Sequence, residues 1–193
     1  MSVLDYPAML FRMFIPKKEQ TLHFAEIGWT ITIPKGFELS SPQEISKKSD
    51  MNRRIVEAIT ERKINYTSET KFTAVYELEN LFICELSDLK NFPEMVWKKQ
   101  LSDLLNDMIT AYKGMFKEYA YVTVNTEADT RQKGDIIFDT LEITIATPQR
   151  ELGRIRYFST VYKDYGLLIT MSYTETAIGE KMLDALRAST FSA

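Results

Sequence analysis

From Gly28 to Pro34 the chain alternates, with Trp29, Ile31 and Ile33 on one side and Thr30 and Thr32 on the other. A two-residue period belongs to a strand with one buried face; Pro34 stops it and Lys35-Gly36 turns the chain. An earlier alternation through Leu22, Phe24 and Glu26 predicts a short strand paired with it. The period then changes. Ser41-Pro42-Gln43-Glu44 is a capping box with Pro at the first helical position, where its missing N–H costs nothing. A helical pattern follows to Lys63, as one helix or as two with Asp50 capping the second. Met51, Ile55, Ile59 and Ile64 form its apolar stripe, and Arg53, Arg54, Glu57, Glu61 and Arg62 its wet side.

Phe72 to Leu78 and Leu81 to Ser87 read as strands around Glu79-Asn80. Asn91-Phe92-Pro93-Glu94 opens a long helix in which Trp97, Leu101, Leu104, Leu105, Met108 and Tyr112 recur at helical spacing. Lys98, Lys99, Ser102, Asp103, Asn106 and Asp107 take its other side, and it ends near Gly114. Strands at Tyr121 to Asn125, Ile136 to Thr147, Arg154 to Lys163 and Leu167 to Tyr173 come next. They are joined by turns at Lys133-Gly134-Asp135, Thr147-Pro148 through Gly153, and Asp164-Tyr165-Gly166. Connections this short cannot make parallel crossovers, so this half is an antiparallel meander. A last helix from Thr176 to Ala188 puts Ile178, Met182, Ala185 and Leu186 on one face. No repeat or flexible linker interrupts the pattern. Residues 1–193 read as one domain, with an apolar arm over 1–16 and an antiparallel sheet with flanking helices over 17–193.

Trp29-Thr30-Ile31-Thr32-Ile33-Pro34-Lys35-Gly36-Phe37, the late strand Tyr165 to Tyr173 and the closing Ser189-Thr190-Phe191 give an outline that resembles the PsbP-like superfamily. That group includes the extrinsic photosystem subunit, a yeast Ran-binding protein of the same fold and many bacterial proteins. The resemblance runs from Gly28 to Phe191. It implies an α+β fold, a three-layer α/β/α sandwich with a central, mainly antiparallel sheet. It also implies a binding or scaffolding role more often than catalysis. Many bacterial members look like exported lipoproteins, and the chain departs from that pattern in lacking a signal and a lipid-attachment Cys. Some cytoplasmic relatives look like chaperone-adaptors for secreted effectors. The matched motifs carry no functional residue of the family across.

Composition narrows the chemistry. Among 193 residues there is one His and one Cys, which excludes an internal disulfide and a His/Cys metal cluster. No metal and no cofactor are expected. A formal net charge of −3 gives no support for a nucleic-acid binder. No apolar run reaches the length of about 18 residues needed to cross a bilayer, so no membrane insertion is expected. Asp5, Arg12 and two prolines break the N-terminal apolar stretch where a secretory signal needs a basic start and an unbroken core, which predicts a cytoplasmic protein. The sequon Asn65-Tyr66-Thr67 matters only in a secreted chain.

His23 is the one imidazole for a Ser-His or Cys-His nucleophile, with Glu26 as the nearby carboxylate. It lies on an early strand with no nucleophile elbow in the chain, and a structural role is expected. Cys84, within Leu81-Phe82-Ile83-Cys84, is expected to be a buried, inert thiol. Asn125-Thr126-Glu127-Ala128-Asp129 begins like a calcium loop. It fails at the sixth position, Thr130 for Gly, and at the twelfth, Ile136 for Glu, which leaves a polar strand end and turn. Asp103 and Asp107 are spaced to share a cation, with Lys99 placed to screen them. Lys47, Lys48, Arg53, Arg54, Arg62 and Lys63 form a basic cluster that Glu44, Asp50, Glu57 and Glu61 dilute into a solvated face. The arm carries Met9, Leu10, Phe11, Met13, Phe14 and Ile15, too apolar to hang in water. It packs back on its own domain or docks on another chain, and Met9, Phe11, Met13 and Phe14 are its candidate partner-binding residues.

The leading expectation is a non-catalytic protein-interaction or adaptor module that binds a protein partner or itself. The alternative is a small-molecule binder with a pocket between a helix and the aromatic sheet (Tyr119, Tyr121, Tyr157, Phe158, Tyr162). A hydrolase built on His23 comes third.

Overall fold

The computed structural model describes residues 18–47, 54, 57–58, 61, 63, 68–77, 79–119 and 122–192. In chain order they form β1 (Gln20–Phe24), β2 (Trp29–Ile33), β3 (Glu38–Leu39), β4 (Glu69–Tyr76), β5 (Asn80–Asp88), α1 (Glu94–Met115), β6 (Thr123–Lys133), β7 (Ile136–Ala146), β8 (Glu151–Tyr162), β9 (Tyr165–Tyr173), α2 (Thr176–Ala188) and β10 (Thr190–Phe191). A helical segment also occupies 42–47. The capping box forms there. Ser41 N donates to Glu44 Oε2 at 2.8 Å and Glu44 N donates back to Ser41 Oγ at 3.4 Å.

A seven-stranded sheet runs in the order β3-β4-β5-β9-β8-β7-β6, and a three-stranded sheet in the order β1-β2-β10. Every pairing is antiparallel. Helix α1 carries the chain from β5, in mid-sheet, to β6 at the far edge. The meander β6-β7-β8-β9 then returns strand by strand and closes against β5. The fold is α+β in three layers: α1 on one face of the large sheet, and α2 beside the small sheet on the other. Trp29, Ile31 and Ile33 of β2, with Ile178 and Met182 of α2, bury the side of the sheet that carries Phe72, Phe82, Cys84, Ile169 and Met171. Trp97 and Leu101 of α1 bury the other side against Ile143, Ile155, Tyr157 and Leu168. Among the described residues no helix is long and apolar enough to cross a membrane.

An early and a late strand, β1 and β10, flank β2 on the small sheet. Phe191 pairs with Trp29 and stacks on it, ring centroids 5.7 Å apart. The buried Trp29 indole Nε1 donates to Ser189 Oγ at 2.9 Å, and that hydroxyl donates to Leu186 O at 2.7 Å. Gly36 has φ 98° in the turn after β2, a conformation open to glycine, and Phe37 after it is fully buried. The sequence features behind the family resemblance are thus joints of the fold.

Three expectations need correction. Strand β6 does not stop at Asn125 but continues to Lys133, so Asn125 to Asp129 is mid-strand rather than a strand end and turn. It pairs with β7 along its whole length, but Asn125 to Gln132 are exposed on both faces, and such a stretch shows no apolar alternation. The turn before β9 is Lys163-Asp164, with φ of 49° and 60°, not Asp164-Tyr165-Gly166. Gly166 lies inside β9, where a Cβ would fall 2.2 Å from Trp97 Cε2. Tyr76, not Leu78, ends β4, since Glu77 turns the chain with φ 51°.

Candidate functional site

The two reactive side chains are both engaged by the fold. His23 is exposed on β1, its Nδ1 2.9 Å from Thr30 Oγ1 across the hairpin. Glu26 holds Lys71 at 2.8 Å. Cys84 is fully buried, and burial, reinforced by Glu85, raises its thiol well above the ordinary value, so it stays protonated.

A cleft of about 540 Å³ opens where α1 begins. It lies where β5 runs past the start of β4, so that among the described residues no strand pairs with Ser87 and Asp88 on that side. Glu26, Glu69 and Lys71 line one wall, Leu86 to Leu89 and Tyr165 the floor, and Phe92, Trp97 and Gln100 the other wall. Lys71 is held by Glu26 and Glu69, each at 2.8 Å. Burial opposes its charge, but the two carboxylates outweigh burial and its pKa ends above the ordinary lysine value. The hydrogen bond from Lys71 lowers Glu26 in return. Lys90 sits 5.6 Å from the Tyr165 ring centroid, a cation–π contact. Trp97 is 2% exposed, and its Nε1 has no hydrogen-bond partner among the described residues.

A second concavity lies at the opposite end of α1. Met115, Phe116, Tyr119, Val122 and Leu152 form an apolar groove rimmed by Thr147, Gln149 and Arg150. Met115 is 45% and Tyr119 50% exposed, which is unusual for side chains so apolar set side by side.

Of the five aromatic residues expected to line one pocket, the four described ones do not converge. Tyr157 is buried under α1, its hydroxyl donating to Met108 Sδ at 3.4 Å, while Phe158 faces the other layer because neighbouring strand residues point to opposite sides. Tyr162 packs on Phe191, Tyr119 lines the groove, and Tyr121 lies outside the described residues. The space between α1 and mid-sheet is filled by side chains, so these two concavities lie at the ends of the helix rather than beneath it.

Asp103 is paired with Lys99 at 2.7 Å. Among the described residues, no group of three or more His, Cys, Asp or Glu is placed to hold a metal. Lys47, Arg54 and Lys63 are exposed; Lys48, Arg53 and Arg62 lie outside the described residues, as do Met9, Phe11, Met13 and Phe14. Sequence reasoning placed Trp97 in the helix core and missed the cleft beside it. One signal was available: a glycine two places into a strand, Gly166, marks a close approach by a bulky side chain.

No family model matches the sequence, and no curated protein matches it. Its structure is similar to the solution structure of cyanobacterial PsbP (CyanoP) from Synechocystis sp. PCC 6803, with a TM-score of 0.55 and 8% sequence identity. The similarity covers 90% of this chain and 92% of that one. The fold is therefore PsbP-like.

Proposed function

We propose that this PsbP-like chain is a non-catalytic, cytoplasmic protein-interaction module. The groove at the end of α1 carries the reading. Met115 and Tyr119 stand exposed beside Phe116, Val122 and Leu152, and aromatic and Met anchors around a concave apolar floor are the usual centre of a protein interface. Arg150 on the rim has no ion-pair partner among the described residues. The groove thus fits a partner segment that inserts an apolar side chain and sets a carboxylate against Arg150. Catalysis by His23 or Cys84 is not part of the reading, since one bonds Thr30 and the other is sealed in the core. The apolar arm with Met9, Phe11, Met13 and Phe14 is a second proposed contact.

The test is cross-linking of the full chain to its partners in native cells, with Met115→Asp and Arg150→Glu compared with Ile137→Asp, a change at an exposed apolar residue elsewhere. A partner lost with the two groove variants and kept with the third supports the reading. Partners unaffected by the groove variants reject it. A chain without residues 1–16 tests the arm in the same way.

The cleft at the start of α1 favours a second reading, a small-molecule site. Its volume lies in the range of about 300–1,000 Å³ typical of ligand pockets. Its charged lining is Glu26, Glu69 and Asp88 against Lys71, an acidic excess beside Tyr165 and Phe92. An aromatic amine matches that lining, and tyramine is a suitable probe. Binding would shift the Trp97 indole N–H resonance and leave that of Trp29 in place; no shift at millimolar probe rejects the reading.

A further inference from the structure

Strand β6 is the longest free sheet edge among the described residues. Its eleven residues pair in unbroken register with β7, and Asn125 to Gln132 are all exposed. Edges of that length are normally shortened, bulged or interrupted by Pro, because an unpaired row of N–H and C=O groups recruits another strand. β6 is neither shortened, bulged nor interrupted by Pro, and its guard is the charge on its side chains. The other outer strands are short: β3 and β10 have two residues each and β1 five.

The direction of the free groups follows from the turn. Lys133 and Ile136 close a two-residue turn with Gly134 at φ 60°, so they form a hydrogen-bonded pair. Alternation then aims the backbone groups of odd-numbered residues at β7 and those of even-numbered residues, Val124 to Gln132, outward. Consistent with this, the Thr130 N–H is taken by the Asp129 carboxylate at 2.7 Å rather than by β7.

The odd-numbered side chains on one face read Glu127, Asp129, Arg131, Lys133: two acids followed by two bases. That order is its own complement when reversed. We propose that β6 pairs antiparallel with β6 of a second copy of this chain about a two-fold axis at Thr130, joining the two large sheets into one. In that register Glu127 faces Lys133 of the second copy and Asp129 faces its Arg131, each contact occurring twice by symmetry. The outward groups of Ala128, Thr130 and Gln132 form the new backbone bonds. The charged residues then fall at the non-hydrogen-bonded pairs, where side chains across an antiparallel ladder lie closest.

The charges suit this use. Neither Glu127 nor Arg131 has an ion-pair partner among the described residues. Glu127 stands directly across from Glu142 of β7, a like-charge pair, and Glu142 is itself committed to Arg154 and Arg156. A lysine on the outer side of Glu127 relieves that repulsion. The Lys133 ammonium donates to Arg187 O and keeps further donors for a carboxylate. Asp129 gives up Thr130 N–H to the second copy and turns to the second copy's Arg131. Backbone pairing supplies the contact and the charges bias its register, since a slip of two residues sets Arg131 against Arg131 or Asp129 against Asp129 and halves the four attractive pairs.

The experiment is sedimentation or light scattering of the full chain across micromolar concentrations, with three variants. Wild type forms a concentration-dependent dimer that weakens with salt. Arg131→Glu with Lys133→Glu turns four attractive contacts repulsive and raises the dimer dissociation constant at least about a hundredfold. Glu127→Lys with Asp129→Lys does the same, yet mixing these two variants restores a dimer of one copy of each. Thr130→Pro removes an outward N–H without touching a charge. It leaves the monomer folded, since Pro is tolerated at such an edge position, and abolishes dimerisation. A wild type that stays monomeric at every concentration overturns the proposal, as does a dimer insensitive to these variants or a mixture that does not restore pairing. These outcomes are independent of the groove variants, which lie at the end of α1.

Discussion

Replacing Gly166 by Ala tests how tightly α1 is seated on the sheet. A Cβ at this position would lie 2.2 Å from Cε2, 2.5 Å from Cζ2 and 2.7 Å from Nε1 of Trp97. Ordinary contact begins near 3.4 Å, so the indole must retreat by more than an ångström. Gly166 has no positive φ, and Ala is acceptable to its strand backbone, so the cost is steric alone. Trp97 is 2% exposed and packs with Leu89, Leu101 and Leu168, which leaves movement toward the adjoining cleft as the way out. Overpacking of a filled core costs about 1–3 kcal/mol, and the open side of the cleft argues for the middle of that range, about 2 kcal/mol. For a chain of this size that lowers Tm by roughly 4–8 °C. Urea unfolding read by far-UV circular dichroism measures it, and a double-mutant cycle with Trp97→Leu isolates the contact. With the indole gone, Gly166→Ala should cost less than about 0.5 kcal/mol, and loss of a flexible glycine from the unfolded chain can make it stabilising. An Ala variant as stable as wild type, or an equal cost in both backgrounds, would refute this account of the seat.

Ser189→Ala leaves the buried Trp29 N–H without an acceptor and should cost about 1–3 kcal/mol, read from the urea midpoint; an unchanged midpoint would show that the bond between β2 and the end of α2 contributes nothing. Stability should also fall at alkaline pH. Burial is the first cause raising both the Cys84 thiol and the Tyr157 phenol well above their ordinary values, with Glu85 reinforcing the first and Tyr112 the second. The folded chain keeps these protons while the unfolded chain releases them. The stabilisation is complete below the unfolded values and declines as pH rises past about 8.5 for the thiol and about 10 for the phenol. Tyr157→Phe should flatten the upper part of that decline in urea titrations from pH 7 to 10.5, and an identical decline in the variant would exclude Tyr157 as its source.

The elements that bury one face were legible in the chain. β2, α1 and α2 appear where their apolar periods place them, because a single buried stripe leaves a single period in the sequence. β6 was legible only to Asn125; beyond it, Asn125 to Gln132 meet water on both faces and leave no apolar period. The Lys163-Asp164 turn carried no glycine at its two positive-φ positions, so the nearby Gly166 drew the prediction to itself. The aromatic residues expected in one pocket included adjacent positions, Tyr157 and Phe158, which a strand separates to opposite faces. The cleft was hidden for a different reason. Its lining comes from the β1–β2 turn, β4, β5, α1 and β9, and its central ion pair joins Glu26 to Lys71, far apart in the chain. Only the crossover through α1 and the insertion of β9 beside β5 bring those pieces together.

That crossover also explains why the exposed features fall where they do. α1 carries the chain past the positions later filled by β9, β8 and β7 before β6 begins, so the first strand of the returning meander becomes an outer edge. The helix covers mid-sheet, and its two ends overhang, giving the cleft at one end and the apolar groove at the other. Past Val124, β6 is exposed on both faces and gains little from burial. Its order rests on the ladder to β7 and on the turn that sets its register. A strand held this way gains from a second ladder on its open side, since pairing satisfies outward N–H and C=O groups that no neighbouring strand among the described residues meets. Its polar side chains lower the risk of unselective sticking, and the sequence Glu127, Asp129, Arg131, Lys133 restricts which strand and which register can be accepted. The topology thus exposes an edge, and the charges along it make that edge selective.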